Sequence, residues 1–123
     1  MTIQECYRQL DGDFSQAEKM LLSEKLVERF LAKFPDDGSF SNLCAAMESG
    51  DCDRAFRAAH TLKGVCGSLS LERLFSSASR LTELLRPEAE AIPAGAHSLF
   101  EEVQRAYRLA VQVIRSYSAS CGS

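Results

Sequence analysis

Apolar residues recur every three or four positions along almost the whole chain of 123 residues. This spacing puts them on one face of an α-helix, whereas a half-buried strand would alternate apolar and polar residues, and no stretch here does so. Long amphipathic helices joined by short turns bury their apolar faces most simply by antiparallel packing, so we expect an all-α, antiparallel four-helix bundle with a short N-terminal helical extension. The predicted helices lie near 3–10, 14–21, 24–34, 40–47, 52–69, 71–85 and 99–117.

Residues that cap helices stand near these boundaries. Gly50 is predicted to end one helix in a left-handed cap, and Asp51 and Ser70 are each placed to open the next helix. Three Ser/Thr-x-x-Glu pairs fit the capping box, in which each side chain satisfies a free backbone amide: Thr2 with Glu5, Ser15 with Glu18, and Ser98 with Glu101.

Composition predicts one domain, because 123 residues with 46% hydrophobic content suit a single core. Within it we expect the extension over 1–22, the bundle over about 23–118 and a disordered tail over 119–123. The polar, acidic start and the lack of a long apolar run predict a cytoplasmic protein with no membrane span. The net charge of −3 argues against nucleic-acid binding and favours protein partners, and we expect a monomer. Five scattered cysteines without metal-finger spacing are predicted to be reduced thiols.

The segment "AHTLKGVCGSLS", residues 59–70, raises the main functional question, because two glycines stand inside a helical pattern at a cost of about 1 kcal/mol each. At about 100° per residue, His60, Lys63, Gly64 and Gly67 share a face that should meet solvent. The opposite, core face is predicted to hold Ala55, Ala59, Leu62, Cys66 and Leu69.

The two glycines have two readings: close helix packing or a C-cap on the one hand, and clearance of the surface around His60 on the other. Since both lie off the core face, we favour clearance for a large partner. A neutral imidazole is a nucleophile near pH 7, and the ammonium of Lys63 one turn on could neutralise an anion there. Arg54, Arg57 and Arg73 add a local positive bias.

The motif "AHTLKG" followed by Gly67 resembles the signature of the histidine-containing phosphotransfer (HPt) domains of phosphorelays. The resemblance implies a four-helix bundle whose exposed histidine takes a phosphoryl group from the aspartyl phosphate of one response-regulator receiver and gives it to another. It assigns the phosphorylated nucleophile to His60, phosphate support to Lys63, and close approach of the receiver to Gly64 and Gly67. The family commonly has a glycine where this chain has Ser70.

The chain carries no nucleotide-binding loop, so it is predicted to be a phosphocarrier and not an enzyme that makes phosphohistidine from ATP. No cofactor of its own is expected, because the receiver would bring the Mg²⁺. The helical wheel predicts that Phe56, Arg57 and Ser68 border the receiver footprint. A histidine kinase is a further candidate partner.

Three other readings remain open. The bundle could dock a receiver or kinase without transferring a phosphoryl group, as an inhibitor or scaffold, in which case replacement of His60 would leave its activity intact. It could be a plain structural helical domain. It could also be an enzyme centred on His97, although no acid or nucleophile stands at a telling spacing from that residue.

Overall fold

A computed structural model describes residues 1–121, and over these residues it contains seven α-helices, one short 3-10 turn and no strand. The all-α prediction is confirmed. The α-helices are α1 Ile3–Gln9, α2 Phe14–Leu21, α3 Glu24–Lys33, α4 Ser39–Ser49, α5 Cys52–Ser68, α6 Glu72–Leu84 and α7 Ala96–Cys121, and the 3-10 turn is Phe34–Asp36. None of the helices described is both long and apolar enough to cross a membrane.

Four helices, α4 to α7, pack side by side in a bundle. Helix α5 packs against α4 on one side and α6 on the other, and α6 packs against α7. Stacking of the rings of Phe40 and Tyr107, with centroids 3.9 Å apart, brings α4 and α7 together and closes the bundle. The core residues predicted for α5 are all buried, so one face of this helix is held against the bundle and the other is left outside.

The N-terminal extension is part of the same core. Helix α1 packs on α7 and buries Ile3, Cys6 and Tyr7. The hydroxyl of Tyr7 donates a hydrogen bond of 2.9 Å to the backbone carbonyl of Leu69, at the end of α5. This bond links residues 62 positions apart and fixes the first helix to the helix that carries His60.

Several predicted caps are confirmed. The Thr2 hydroxyl accepts a hydrogen bond from the Glu5 amide at the start of α1, and the Asp51 carboxylate accepts one from the Arg54 amide at the start of α5. Gly50 ends α4 with a φ of +74°, in the left-handed region where glycine costs least.

Three other predicted caps are wrong. Helix α2 is capped by Asp13, two residues before Ser15, because the Asp13 carboxylate already accepts from the Gln16 amide. Helix α7 begins at Ala96, so Ser98 lies within its first turn. Ser70 belongs to the end of α5, and Leu71 stands at the N-cap of α6 without a side-chain hydrogen bond.

The predicted disordered tail is wrong over residues 119–121, because α7 continues to Cys121. Gly122 and Ser123, the rest of that predicted tail, lie outside the described residues. The five cysteines are free thiols, and Cys66 is buried in the core of α5 as its place on the helical wheel predicts.

Candidate functional site

The exposed face of α5 holds the predicted site. His60 and Gly64 are exposed and Lys63 is half-buried, and the three lie within about one turn of α5. Leu62, Cys66 and Leu69, on the core face of the helix, are buried. Since the Asp51 cap and the buried face fix the rotation of α5, the imidazole of His60 is directed to solvent. An imidazole in this position is accessible to a partner as large as a protein domain.

Aromatic rings lie beside His60 and Lys63. The ring of Phe56, one turn before His60, is half-buried, and its centroid lies 6.0 Å from that of the imidazole. The Lys63 ammonium lies 6.0 Å from the ring centroid of Phe75, which projects from the first turn of α6. On the exposed face of α5, the His60 imidazole and the Lys63 ammonium therefore each lie beside an apolar ring that a partner could contact.

Most of the positive charge expected around His60 is neutralised by nearby carboxylates. Arg54 pairs with Asp51, Arg57 with Asp53, and Arg73 lies 3.9 Å from Asp11. No carboxylate of the described residues lies within salt-bridge distance of the fourth cation, Lys63. Among the described residues, the Lys63 charge one turn from His60 therefore has no ion-pair partner.

The two glycines of the motif have different surroundings. A Cβ atom added to Gly64 would meet no atom within 4 Å, so this residue leaves open surface one turn from His60. A Cβ atom at Gly67 would lie 3.3 Å from Cε2 of Phe75. The surroundings of Gly64 thus agree with the prediction that it clears space for a partner. Gly67 instead packs against an aromatic ring of the same chain, as in the alternative explanation of close helix packing.

The three residues predicted to border the receiver footprint all lie on this side of α5. Phe56 is half-buried, and Arg57 is exposed but held by Asp53 at 2.7 Å. Ser68 is half-buried, and its hydroxyl donates to the backbone carbonyl of Gly64 at 3.2 Å. His97 is exposed in the first turn of α7, outside this face.

Ser68 also lines a surface groove of about 410 Å³ between α5 and the N-terminal helices. Phe30 of α3 is 44% exposed and lines this groove with Leu21 and Val65. The exposed face of α5 is therefore continuous with apolar surface on α2 and α3.

Sequence reasoning missed two residues that shape this region. Phe75 lies off the buried face of α6, which includes Leu74, Ala78 and Leu81. An aromatic residue off a helix's apolar face is the signal in the sequence that could have found it. Tyr7 supports the end of α5 from α1, and no local pattern indicates a contact across 62 positions.

In the comparison with protein families, the model of the Hpt domain matches residues 25–116, from the start of α3 to the last turns of α7. The comparisons with curated proteins and with solved structures find no match. The family match spans every bundle helix and includes the motif around His60. The chain therefore belongs to the Hpt domain family, the phosphocarrier modules of phosphorelay signalling.

Proposed function

We propose that this protein is a phosphorelay intermediate that accepts a phosphoryl group on His60 from the aspartyl phosphate of a receiver domain and passes it to a second receiver. The observation that carries the proposal is the site itself: an exposed imidazole, a Lys63 ammonium one turn away that no carboxylate of the described residues pairs with, and open surface at Gly64. Membership in the Hpt domain family supports it.

In the proposed transfer, a lone pair on an imidazole nitrogen of His60 forms the N–P bond as the P–O bond to the receiver's aspartate breaks. The electron pair of the broken bond stays on the leaving carboxylate, and the ring keeps its proton on the other nitrogen. The transfer depends on in-line positioning and on stabilisation of negative charge on the phosphoryl oxygens. Here α5 supplies the rigid position and Lys63 the positive charge, while the receiver brings the aspartate and its Mg²⁺.

The receiver would approach across the exposed face of α5. Gly64 lets its active site come close to His60, since any larger side chain would stand one turn from the imidazole. Phe56, Arg57 and Ser68 would lie under the rim of the docked domain, with Phe56 supplying the apolar contact.

The test is incubation of the protein with each phosphorylated receiver domain of the same genome, followed by an assay for acid-labile phosphate. We expect at least one receiver to label the wild type and the His97→Gln variant equally, and to leave His60→Gln unlabelled. His97 is the matched control because it is the only other histidine in the chain.

A receiver that binds both the wild type and His60→Gln, and labels neither, would contradict the relay and identify the protein as a docking or inhibitor module. Binding is measured in the same panel by NMR titration. Unmoved amide signals over 56–68 would exclude the exposed face of α5 as the docking surface.

A further inference from the structure

The aromatic ring of Phe75 is partly exposed and packs against a glycine of the neighbouring helix. It stands in the first turn of α6, is 36% exposed, and lies against Gly67 of α5, which has no side chain. An ideal Cβ at Gly67 would lie 3.3 Å from Cε2 and 3.5 Å from Cδ2 of the ring. The absence of a side chain at Gly67 therefore lets the Phe75 ring approach the backbone of α5.

The same ring faces the charge of Lys63, with 6.0 Å between the ammonium and the ring centroid. A cation over an aromatic face at this distance is attracted by the negative charge of that face. The attraction matters for Lys63, because no carboxylate of the described residues competes for its ammonium. Lysine has a flexible four-carbon stem, so without a partner the ammonium would sample many positions.

We propose that Phe75 is a positioning residue for phosphoryl transfer: seated on Gly67, its ring holds the Lys63 ammonium on the α6 side of His60, where the phosphoryl group arrives. This role rests on the proposed function. Under it, Gly67 serves the site indirectly, by making room for the ring that positions the cation.

The contact itself is tested by NMR of the Lys63 side chain in the unphosphorylated protein. An aromatic ring shifts the signals of nearby methylene protons, so the Lys63 Hε signals of the wild type should lie upfield of ordinary lysine values. We expect Phe75→Leu, which keeps an apolar side chain but removes the ring, to return them to ordinary values. Phe75→Tyr, which keeps the ring, should leave them shifted.

The functional role is tested by the rate of transfer from a receiver that labels His60. We expect Phe75→Leu to lower the rate at saturating receiver by about two- to five-fold, the factor that an exposed cation–π contact is worth. Phe75→Tyr should restore the wild-type rate. In a Lys63→Met background, Phe75→Leu should have no further effect, because the charge that the ring holds is already gone.

Phe56→Leu is the matched control, since Phe56 is also an aromatic residue next to the site but lies beside His60 and not over Lys63. As a docking residue it should change the receiver concentration at half-maximal rate, and this effect should persist in the Lys63→Met background.

The outcomes separate the two proposals. If His60 is labelled and Phe75→Leu transfers at the wild-type rate, or slows transfer equally with and without Lys63, the positioning role is overturned and the relay stands. If no receiver labels His60, the relay is overturned, and the role of Phe75 falls with it even where the Lys63 signals show the ring contact.

Discussion

At Gly64, a larger side chain would favour the stability of the helix but would hinder a partner's access to His60. Leucine is a better helix former than glycine by nearly 1 kcal/mol, and a Cβ at Gly64 would meet no atom within 4 Å. Gly64→Leu should therefore raise the melting temperature by about 3 °C. The same side chain would hold a receiver away from His60, and a displacement of ~1 Å can cost ~100-fold in rate.

The measurements for Gly64 are a thermal melt and the transfer rate, with Gly64→Ala as the control. Alanine should give a similar gain in stability and a much smaller loss of transfer, because its methyl group stays close to the helix. A lower melting temperature for Gly64→Leu would show that the glycine serves packing, and unchanged transfer would show that access at this position does not limit the relay.

Ser70 has a backbone conformation that suits glycine better than serine. Its φ is +51°, in the left-handed region, and its amide donates to the Gly67 carbonyl while the Leu71 amide donates to that of Cys66. These two bonds form the left-handed ending of α5, in which a non-glycine residue costs about 1 kcal/mol or more. We expect Ser70→Gly to raise the free energy of unfolding by about 1 kcal/mol.

Urea denaturation of Ser70→Gly and Ser70→Ala separates the backbone effect from that of the hydroxyl. Alanine removes the hydroxyl but keeps the Cβ, so it should bring no gain. A Ser70→Gly variant less stable than the wild type would mean that the serine side chain makes a contact worth more than the backbone strain.

Helix α1 is coupled to α5 by one buried hydrogen bond, from the hydroxyl of Tyr7 to the carbonyl of Leu69. Tyr7→Phe keeps the ring but leaves a carbonyl at the end of α5 without this donor. Loss of one partner of a buried hydrogen bond costs about 1–3 kcal/mol, so we expect a decrease of that size in the free energy of unfolding.

The control for Tyr7 is Tyr107→Phe, because the Tyr107 hydroxyl lies 3.5 Å from the Pro35 carbonyl and the residue is only half-buried. Its effect in urea denaturation should be under about 0.5 kcal/mol. Equal effects of the two changes would contradict a special role for the bond between α1 and α5.

The helices were predictable from sequence because their periodicity is a local property, and the buried residues of α5 followed from the same wheel. The wrong caps, Ser15, Ser70 and Ser98, have a common cause: a capping residue is selected by how the preceding chain enters the helix. At Ser70 the path of the chain into α6 is set by the way α5 ends, and the sequence pattern at the start of α6 carries no information about that ending.

In the candidate site, too, the contacts within one helix were predictable from sequence and the contacts between helices were not. His60, Lys63 and Gly64 lie on one helix, so their spacing alone placed them on one exposed face. The ring of Phe75 reaches Gly67 and Lys63 from another helix, and the pairing of three nearby arginines with carboxylates includes one contact between distant segments, Arg73 with Asp11. Contacts between elements depend on the packed structure, and the sequence pattern does not determine them.

The molecule as a whole should lose stability in alkali, because the pKa values of three of its thiols and of its three phenols are raised in the folded state. Burial is the main cause in each case, and it raises the pKa of Cys6, Tyr7, Cys44, Cys66, Tyr107 and Tyr117. For Cys6 the pKa rises from 9.0 to about 11, with the nearby Cys121 as a smaller cause. The folded chain thus keeps protons that the unfolded chain releases.

This sign means that the stability contributed by Cys6 is fully present below about pH 9 and is lost as the pH rises toward 11. A pKa difference of this size corresponds to a loss of about 3 kcal/mol once the pH exceeds both values. Urea denaturation of the reduced protein at pH 8 and pH 11 measures the loss. Cys6→Ala should be less stable than the wild type at pH 8 but should lose less stability between the two pH values. Cys121→Ser removes only the smaller cause of the raised Cys6 pKa, so it should keep most of the wild-type loss. If Cys6→Ala and the wild type lose the same stability, the Cys6 thiol must ionise as freely in the folded protein as in the unfolded chain, and the packing of α1 on α7 would be looser than the structure shows.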